Sequence, residues 1–284
     1  MTNFDPRVTP ARADLAAKSL EGKVAARRYA EGRVMEIVAP QAPLRGEPRP
    51  DAALLTEALF GERVTIYDEN AEGWSWGQLA NDNYVGWLPS SALAPPGPAP
   101  THRVAALRTL VFPSPNIKLP PIEALPFGSM LAIARFADRL AVTQGGAFVP
   151  AMHLKPTGEY EADFVAVAGR FLGVPYLWGG KTALGLDCSG LVQIAFSACG
   201  LSCPRDSDMQ EATLGTAIST ADLSLLKRGD LVFWQGHVAI VYNSGRLLHA
   251  NAFHMAVAIE PISEAVARIR AAGSEITGVR RIAR

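Results

Sequence analysis

Three cysteines and five histidines are the residues of this 284-residue chain whose spacing bears on nucleophilic chemistry. Cys188 opens the run CSGLVQIAFSAC, which is apolar at helical spacing and stops at Gly200, so a helix is predicted with Cys188 in its first turn. Unpaired N–H groups and the positive end of the macrodipole favour a thiolate there. They predict a thiol pKa lowered to about 3.5–7.5. Leu191, Val192, Ala195, Phe196 and Cys199 share one helical face, predicted to be the buried one. Cys199 lies three turns on, roughly 16 Å away at 1.5 Å per residue, too far to bridge to Cys188. Cys199 and Cys203 read as ordinary core or loop cysteines. No C-x-x-C pair occurs and no histidine is close in sequence, so neither a metal nor a cofactor is expected.

The histidines that matter follow in GDLVFWQ, HVAIVYN and RLLHAN, three short β-runs with turn residues between them. A two-residue loop at Ser244-Gly245 pairs position 237 with 252 and puts His249 on the opposite face. A three-residue loop, Asn243-Ser244-Gly245 with Gly245 left-handed, pairs His237 with Asn251. His249 is then its same-face diagonal neighbour at about 7–8 Å between backbones. The second register lets the imidazoles hydrogen-bond, and with a primed thiol upstream it gives nucleophile, base and orienting residue. His102, His153 and His254 lack such company and are expected at the surface.

These residues need a scaffold. ADFVAVAGRFLG is predicted as a helix ended by Gly173, and PYLWGGKTALGLD as the Gly-rich loop before the cysteine helix. Far upstream, residues 12–30 carry Ala, Leu, Lys and Arg without Pro and are predicted to be an amphipathic helix. From Val34 to Leu93 the chain reads as β, with RVTIY, GWSWGQLA and NYVGWLP as strands and Asn81-Asp82-Asn83 as a hairpin turn. A small barrel follows from that, with Trp74, Trp76 and Trp87 as buried aromatics filling its core. APPGPAP at 94–100 reads as a stiff linker, and 103–155 as a second β unit of similar length and rhythm. The expected segments are a helical 1–30, barrels at 31–96 and 97–156, and a catalytic domain at 157–284.

Lys+Arg and Asp+Glu both number 27, so no cationic excess is available for a phosphate backbone and nucleic acid is not expected as a partner. Small uncharged or zwitterionic substrates fit better. The N-terminus has no apolar core after a basic patch, which predicts neither a signal peptide nor a membrane span. An odd number of cysteines argues for a reducing compartment, and together these predict a cytoplasmic protein.

YLWGGKTALGLDCSGLVQ, LKRGDLVFW, GHVAIVY and LLHAN resemble the NlpC/P60 family of papain-like cell-wall peptidases over residues 160–284. GERVTIY, GWSWGQL and NYVGWLP resemble a bacterial SH3-like domain, with the second β unit as a diverged copy. The resemblance implies an α+β fold, a papain-like catalytic domain preceded by two small all-β SH3-like barrels. It implies Cys188 as nucleophile, His237 as base and His249 as orienting residue, the three already singled out. The backbone N–H of Cys188 is the oxyanion donor, with Tyr176 as a second through its hydroxyl or else a core aromatic.

With PRDSDMQ, the resemblance narrows to γ-D-glutamyl-L-diamino acid endopeptidases acting on released muropeptides with a free N-terminal L-Ala. A site that insists on a free amine must supply an anion. Asp206 is the first choice, unless it is a turn residue after Pro204, with Glu57 and Tyr84 of the first barrel completing the cage. Ser207 and Ser189 are left for the D-Glu α-carboxylate, and Asp187 and Trp178 for the groove around the nucleophile. An amidase or acyltransferase acting on another small amide, and a non-catalytic peptidoglycan-binding module, are the alternatives.

Overall fold

The computed structural model describes residues 4–219 and 222–283. The chain forms two compact units, Met1–Glu159 and Tyr160–Arg284.

In the first unit, β1 (Leu15–Ala17) pairs in parallel with β2 (Arg28–Ala30), joined through a single 3-10 turn at Lys18–Leu20. The helix expected over this segment is therefore not there, and the first three residues of the segment lie outside the described residues. Tertiary burial overrides helix propensity: Leu15, Ala16 and Ala17 are all buried in an extended run, which a one-sided helix does not achieve. Leu15 packs with Trp76 and Val85, while the Arg12 guanidinium stacks over Trp76 and Trp87 at 4.5 and 4.9 Å.

The seven-stranded sheet comprises β3 (Arg33–Ile37), β4 (Gln41–Arg45), β5 (Leu54–Leu59), β6 (Arg63–Glu69), β7 (Trp74–Leu79), β8 (Val85–Pro89) and β9 (Leu93–Ala94). Its order is β5-β4-β8-β7-β6-β3-β9. The expected hairpin between β7 and β8 forms, with Asn83 at φ +62°. The barrel core is aliphatic, built on Ile37, Leu44, Val64, Ile66, Leu79 and Leu88. The tryptophans do not fill it. Trp76 faces outward under the N-terminal segment, because Ile66 and Leu79 already occupy the inward positions of their strands.

The second β region holds β10 (His102–Val104), β11 (Arg108–Val111), β12 (Glu123–Pro126), β13 (Met130–Leu131), β14 (Ile133–Ala137), β15 (Leu140–Thr143), β16 (Phe148–Pro150) and β17 (Leu154–Pro156). They form three small sheets around Val104, Val111, Leu125, Leu131, Ile133, Ala141 and Val149.

The second unit carries α1 (Phe164–Gly169), the short pair β18 (Lys181–Thr182) and β19 (Gly185–Leu186), α2 (Cys188–Ala198) and α3 (Ser207–Thr213). A six-stranded antiparallel sheet follows: β20 (Thr216–Ile218), β21 (Leu231–Trp234), β22 (His237–Asn243), β23 (Arg246–Asn251), β24 (Ala256–Pro261) and, after α4 (Ile262–Ala271), β25 (Ile276–Arg281). Its order is β20-β25-β21-β22-β23-β24. Strands outnumber helices, so the α+β class holds with a strong β bias. α1 ends four residues before Gly173, which takes φ +84° in the following turn.

α4 covers one sheet face, its Ile262, Ala265 and Val266 packing with Val232, Trp234, Ala239, Val241 and Leu247. α2 contacts β22 and β23. It is not half-buried as its apolar stripe suggests. Every residue from Cys188 to Phe196 is buried, and only Ser197 is exposed. A helix enclosed on all sides holds its first residue in a fixed place.

Candidate active site

The start of α2 is made by glycines and one carboxylate. Asp187 occupies the N-cap, and its Oδ1 accepts from the Gly190 N–H at 2.7 Å. Its Oδ2 accepts from the Gly179 N–H at 2.8 Å, which ties the YLWGG loop to the helix. A Cβ on Gly190 would fall on the carbonyl oxygen of Gly180, so only glycine lets the two segments approach this closely.

Asp187 also receives both ends of Arg205, Nη2 to Oδ2 at 2.6 Å and Nη1 to Oδ1 at 3.0 Å. Arg205 Nη1 reaches Ser189 Oγ at 2.8 Å as well. Asp187, expected at the substrate, is thus turned inward by a buried guanidinium and two backbone donors. Ser189 shares that network and is itself buried.

Cys188 is buried in the first turn, and the N–H groups of Ser189 and Val238 point at its sulfur. The lowered thiol pKa expected from the helix terminus does not result. Burial first, and the Asp187 carboxylate second, push the thiol up to about 12, against the smaller opposing effect of those N–H groups. The helix terminus helps a thiolate by less than its desolvation costs, and an anion already caps the helix. Cys199 and Cys203 are free thiols, the first half-buried and the second buried.

His237 begins β22 opposite Trp234, across the tight Gln235-Gly236 turn. The pairs Ile240↔Leu248 and Val241↔Leu247 run on towards His237 opposite Asn251, the register that gives the histidines a common face. The route differs from the three-residue loop. Asn243 pairs with Arg246, leaving Ser244-Gly245 at the tip with Gly245 at φ +97°, and the register slips at Tyr242. His237 Nε2 and His249 Nδ1 lie 2.8 Å apart. Burial first, then His249 and Arg268, pull His237 down to about 3. A neutral imidazole results at physiological pH.

Two residues behind this pair were missed from the sequence. His249 is opposite Ala258, so Glu260 of β24 is its diagonal neighbour, and its Oε1 lies 2.7 Å from His249 Nε2. Arg268 of α4 donates to the same oxygen. A carboxylate in the apolar strand AVAIEP, in register with the histidine strand, was the available signal. Arg205 left a weaker one, a cation beside Asp206 in PRDS.

Tyr176 is half-buried, held by its N–H to Met255 O at 2.9 Å and bridged to Leu186, two residues before Cys188. Burial first, then Cys188 and Asp187, raise its hydroxyl to about 12, so it stays a proton donor. Trp178 is 65% exposed. Asp206 occupies the N-cap position of α3 without a side-chain cap bond, and it and Ser207 are half-buried. In the first unit Glu57 is buried with Gln41 Nε2 at 3.1 Å, and Tyr84 is buried within the barrel core. His254 is exposed as expected, but His102 and His153 are half-buried, their Nδ1 atoms at hydrogen-bond distance from Thr101 and Thr109.

A thiol at a helix start, on the N–H of the residue after a paired, neutral histidine, has the groups needed to add to a carbonyl and pass its proton to the ring. The NlpC/P60 family matches residues 173–274, and the bacterial dipeptidyl-peptidase Sh3 domain matches residues 44–93. A gamma-D-glutamyl-L-lysine dipeptidyl-peptidase of Bacillus subtilis (strain 168) is 30% identical over 241 residues, 76% of this chain and 78% of that protein. The chain belongs to the NlpC/P60 family. Dipeptidyl-peptidase 6 of Lysinibacillus sphaericus is 27% identical, across 76% of this chain and 86% of its own length. The crystal structure of an NlpC/P60 family protein from Bacillus cereus ATCC 10987 superposes with a TM-score of 0.73 at 22% identity, over 88% of this chain and 99% of that one, a likeness of fold. As an NlpC/P60 member with an SH3-like β region, the protein is a cysteine peptidase acting on cell-wall peptide. No described helix is long and apolar enough to cross a membrane.

Proposed function

We propose that this peptidase hydrolyses the γ-D-glutamyl-L-diamino acid bond of released muropeptides carrying a free N-terminal L-Ala, in cytoplasmic cell-wall recycling. The observation that carries the chemistry is the 2.8 Å contact between His237 and His249, with the Cys188 sulfur on the N–H of the next residue, Val238. Cys188 attacks the γ-carbonyl of D-Glu as His237 takes the thiol proton. The oxyanion is met by the Cys188 N–H and the Tyr176 hydroxyl. His237 then protonates the departing amine, and water releases the acyl group by the same route in reverse. A thiol that stays neutral at rest makes proton transfer part of the attack itself.

Substrate choice rests on relatives named for the γ-D-glutamyl-L-lysine bond, matched across about three quarters of the chain. In this reading Asp206, half-buried at the start of α3, receives the L-Ala ammonium. Ser207 receives the D-Glu α-carboxylate and Trp178 lines the groove, while Ser189 stays in the buried Asp187–Arg205 network. Mass analysis after incubation with L-Ala-γ-D-Glu-L-Lys and its diaminopimelate counterpart should find L-Ala-D-Glu plus the free diamino acid or its remainder. Release of L-Ala alone, or no cleavage of either, would overturn the assignment. N-acetylation of the L-Ala should lower kcat/KM by two orders of magnitude or so, given about 2–5 kcal/mol for one lost partner of a buried charge pair. Equal kcat/KM would remove Asp206 from amine recognition.

A further inference from the structure

We propose that Glu260, through His249, fixes the tautomers of both active-site imidazoles and so decides which nitrogen of His237 is free to take the thiol proton. It is a positioning residue, and its role rests on the assignment of Cys188 and His237 as nucleophile and base.

A carboxylate accepts and never donates. Glu260 Oε1 lies 2.7 Å from His249 Nε2 and receives Arg268 on the same atom. The proton in the first contact therefore sits on His249 Nε2. A neutral imidazole has one N–H, so His249 Nδ1 is an acceptor, and its 2.8 Å partner, His237 Nε2, must donate. His237 Nδ1 is left with its lone pair. Burial alone would raise Glu260, but the bonds from His249 and Arg268 outweigh it and hold the carboxyl down to about 2.

When Nδ1 takes the thiol proton, His237 becomes an imidazolium that still donates through Nε2. Its charge then lies two hydrogen bonds from a carboxylate. Arg268 opposes passing a proton on to Glu260, so the proton remains on His237, where the leaving amine collects it. The groups around this chain are few. His249 is faced by His237 from β22, Glu260 from β24, Arg268 from α4 and His254 from the β23–β24 turn, whose Nδ1 is 4.0 Å from Glu260 Oε1. His237 has the Trp234 ring at 5.7 Å, and Cys188 meets the adjacent Val238 N–H, with Asp187 and Arg205 behind it. Glu260 raises the basicity of His237, and Arg268 and His249 lower it.

Two partners with opposite effects give a signature that a merely structural role would not. In the full-length protein, Glu260→Gln keeps an oxygen for His249 and Arg268 but loses the charge. Its acid limb of kcat/KM on L-Ala-γ-D-Glu-L-Lys should move to lower pH, with a fall in kcat and little change in KM. Arg268→Gln should move the limb to higher pH. Glu260→Leu removes the acceptor and should lower kcat towards the roughly 10²–10⁴-fold that general-base catalysis supplies. Imidazole 15N NMR should show Nε2–H on both His237 and His249 in the native protein and a mixture of tautomers in Glu260→Leu. Nδ1–H on His249 in the native protein, or acid limbs that stay still or move together, would overturn the proposal. If the tripeptide is not turned over at all, the substrate reading fails while the NMR result still decides the tautomers. Persistent turnover by Cys188→Ser would instead displace the nucleophile.

Discussion

Two buried carboxylates stand behind the two reacting side chains, each held by one arginine, and they differ in what else they hold. Asp187 and Arg205 form a closed unit, with side chains 9% and 1% exposed, that caps α2 and anchors the YLWGG loop. Glu260 is equally buried, but Arg268 is 26% exposed, and the remaining partner is an imidazole that titrates. The first pair sets where the sulfur is. The second sets what the base can do. The Asp187 carboxylate raises the Cys188 pKa, whereas Glu260 raises that of His237, so both favour a proton on the group they stand behind. Only Glu260 thereby strengthens the base.

The largest break in this comparison should come from the reacting atoms. Cys188→Ser and His237→Ala should each lower kcat by four or more orders of magnitude, as removal of one member of a concerted unit does. Both should fold, because Ser is tolerated in a helix's first turn and His237 is at a strand end. His249→Asn should retain measurable activity, and a ranking with His249 above His237 would exchange their roles.

Next are the arginines. Arg205→Met leaves the Asp187 carboxylate buried without its cation and should reduce unfolding free energy by about 3–5 kcal/mol in urea titration. Arg268→Met, at a site water can reach, should reduce it by about 1–3 kcal/mol. Equal losses would erase the distinction between a closed pair and an open one.

Acid should act on the second pair. Folded pKa values near 3 for His237 and near 2 for Glu260 lie below the ordinary values of 6.5 and 4.5. The unfolded chain therefore binds more protons, and stability falls as pH drops from about 6.5 to 3 for His237 and from about 4.5 to 2 for Glu260. Cys188, raised to about 12 from 9, contributes in the other direction, with stability falling above pH 9. Denaturation midpoints across pH should show the Glu260 component missing in Glu260→Gln.

The smallest effect is in the rate of alkylation. With a thiol held neutral and buried, Cys188 should react slowly with iodoacetamide near pH 6 and faster only into the alkaline range. Asp187→Asn should speed Cys188 labelling, and Glu260→Gln should not. Rapid labelling of native Cys188 at pH 6 would reinstate a thiolate made by the helix terminus.

The parts of the site legible in the sequence were those with local rules. Cys188 at a helix start and the shared face of His237 and His249 follow from periodicity and register, even though the register is reached by a slip at Tyr242. Arg205 and Glu260 were not legible, because their roles depend on which strand or helix lies opposite. The thiol pKa was misjudged for a related reason: the helix terminus is visible in sequence, but complete enclosure of α2 is not. Residues 12–30 failed differently. Their composition suits a helix, but the outward faces of Trp76 and Trp87 need an extended cover with Leu15 and Arg12 upon it.

The contact between Gly190 and the Gly180 carbonyl has a genetic side. Every single-base change of a glycine codon that yields another amino acid adds a Cβ. No missense mutation at codon 190 can therefore be silent in space, and the nucleophile helix is displaced by any of them. Loss-of-function alleles should gather at this codon as readily as at that of Cys188, and a mutagenesis library built to alter specificity keeps both glycines fixed.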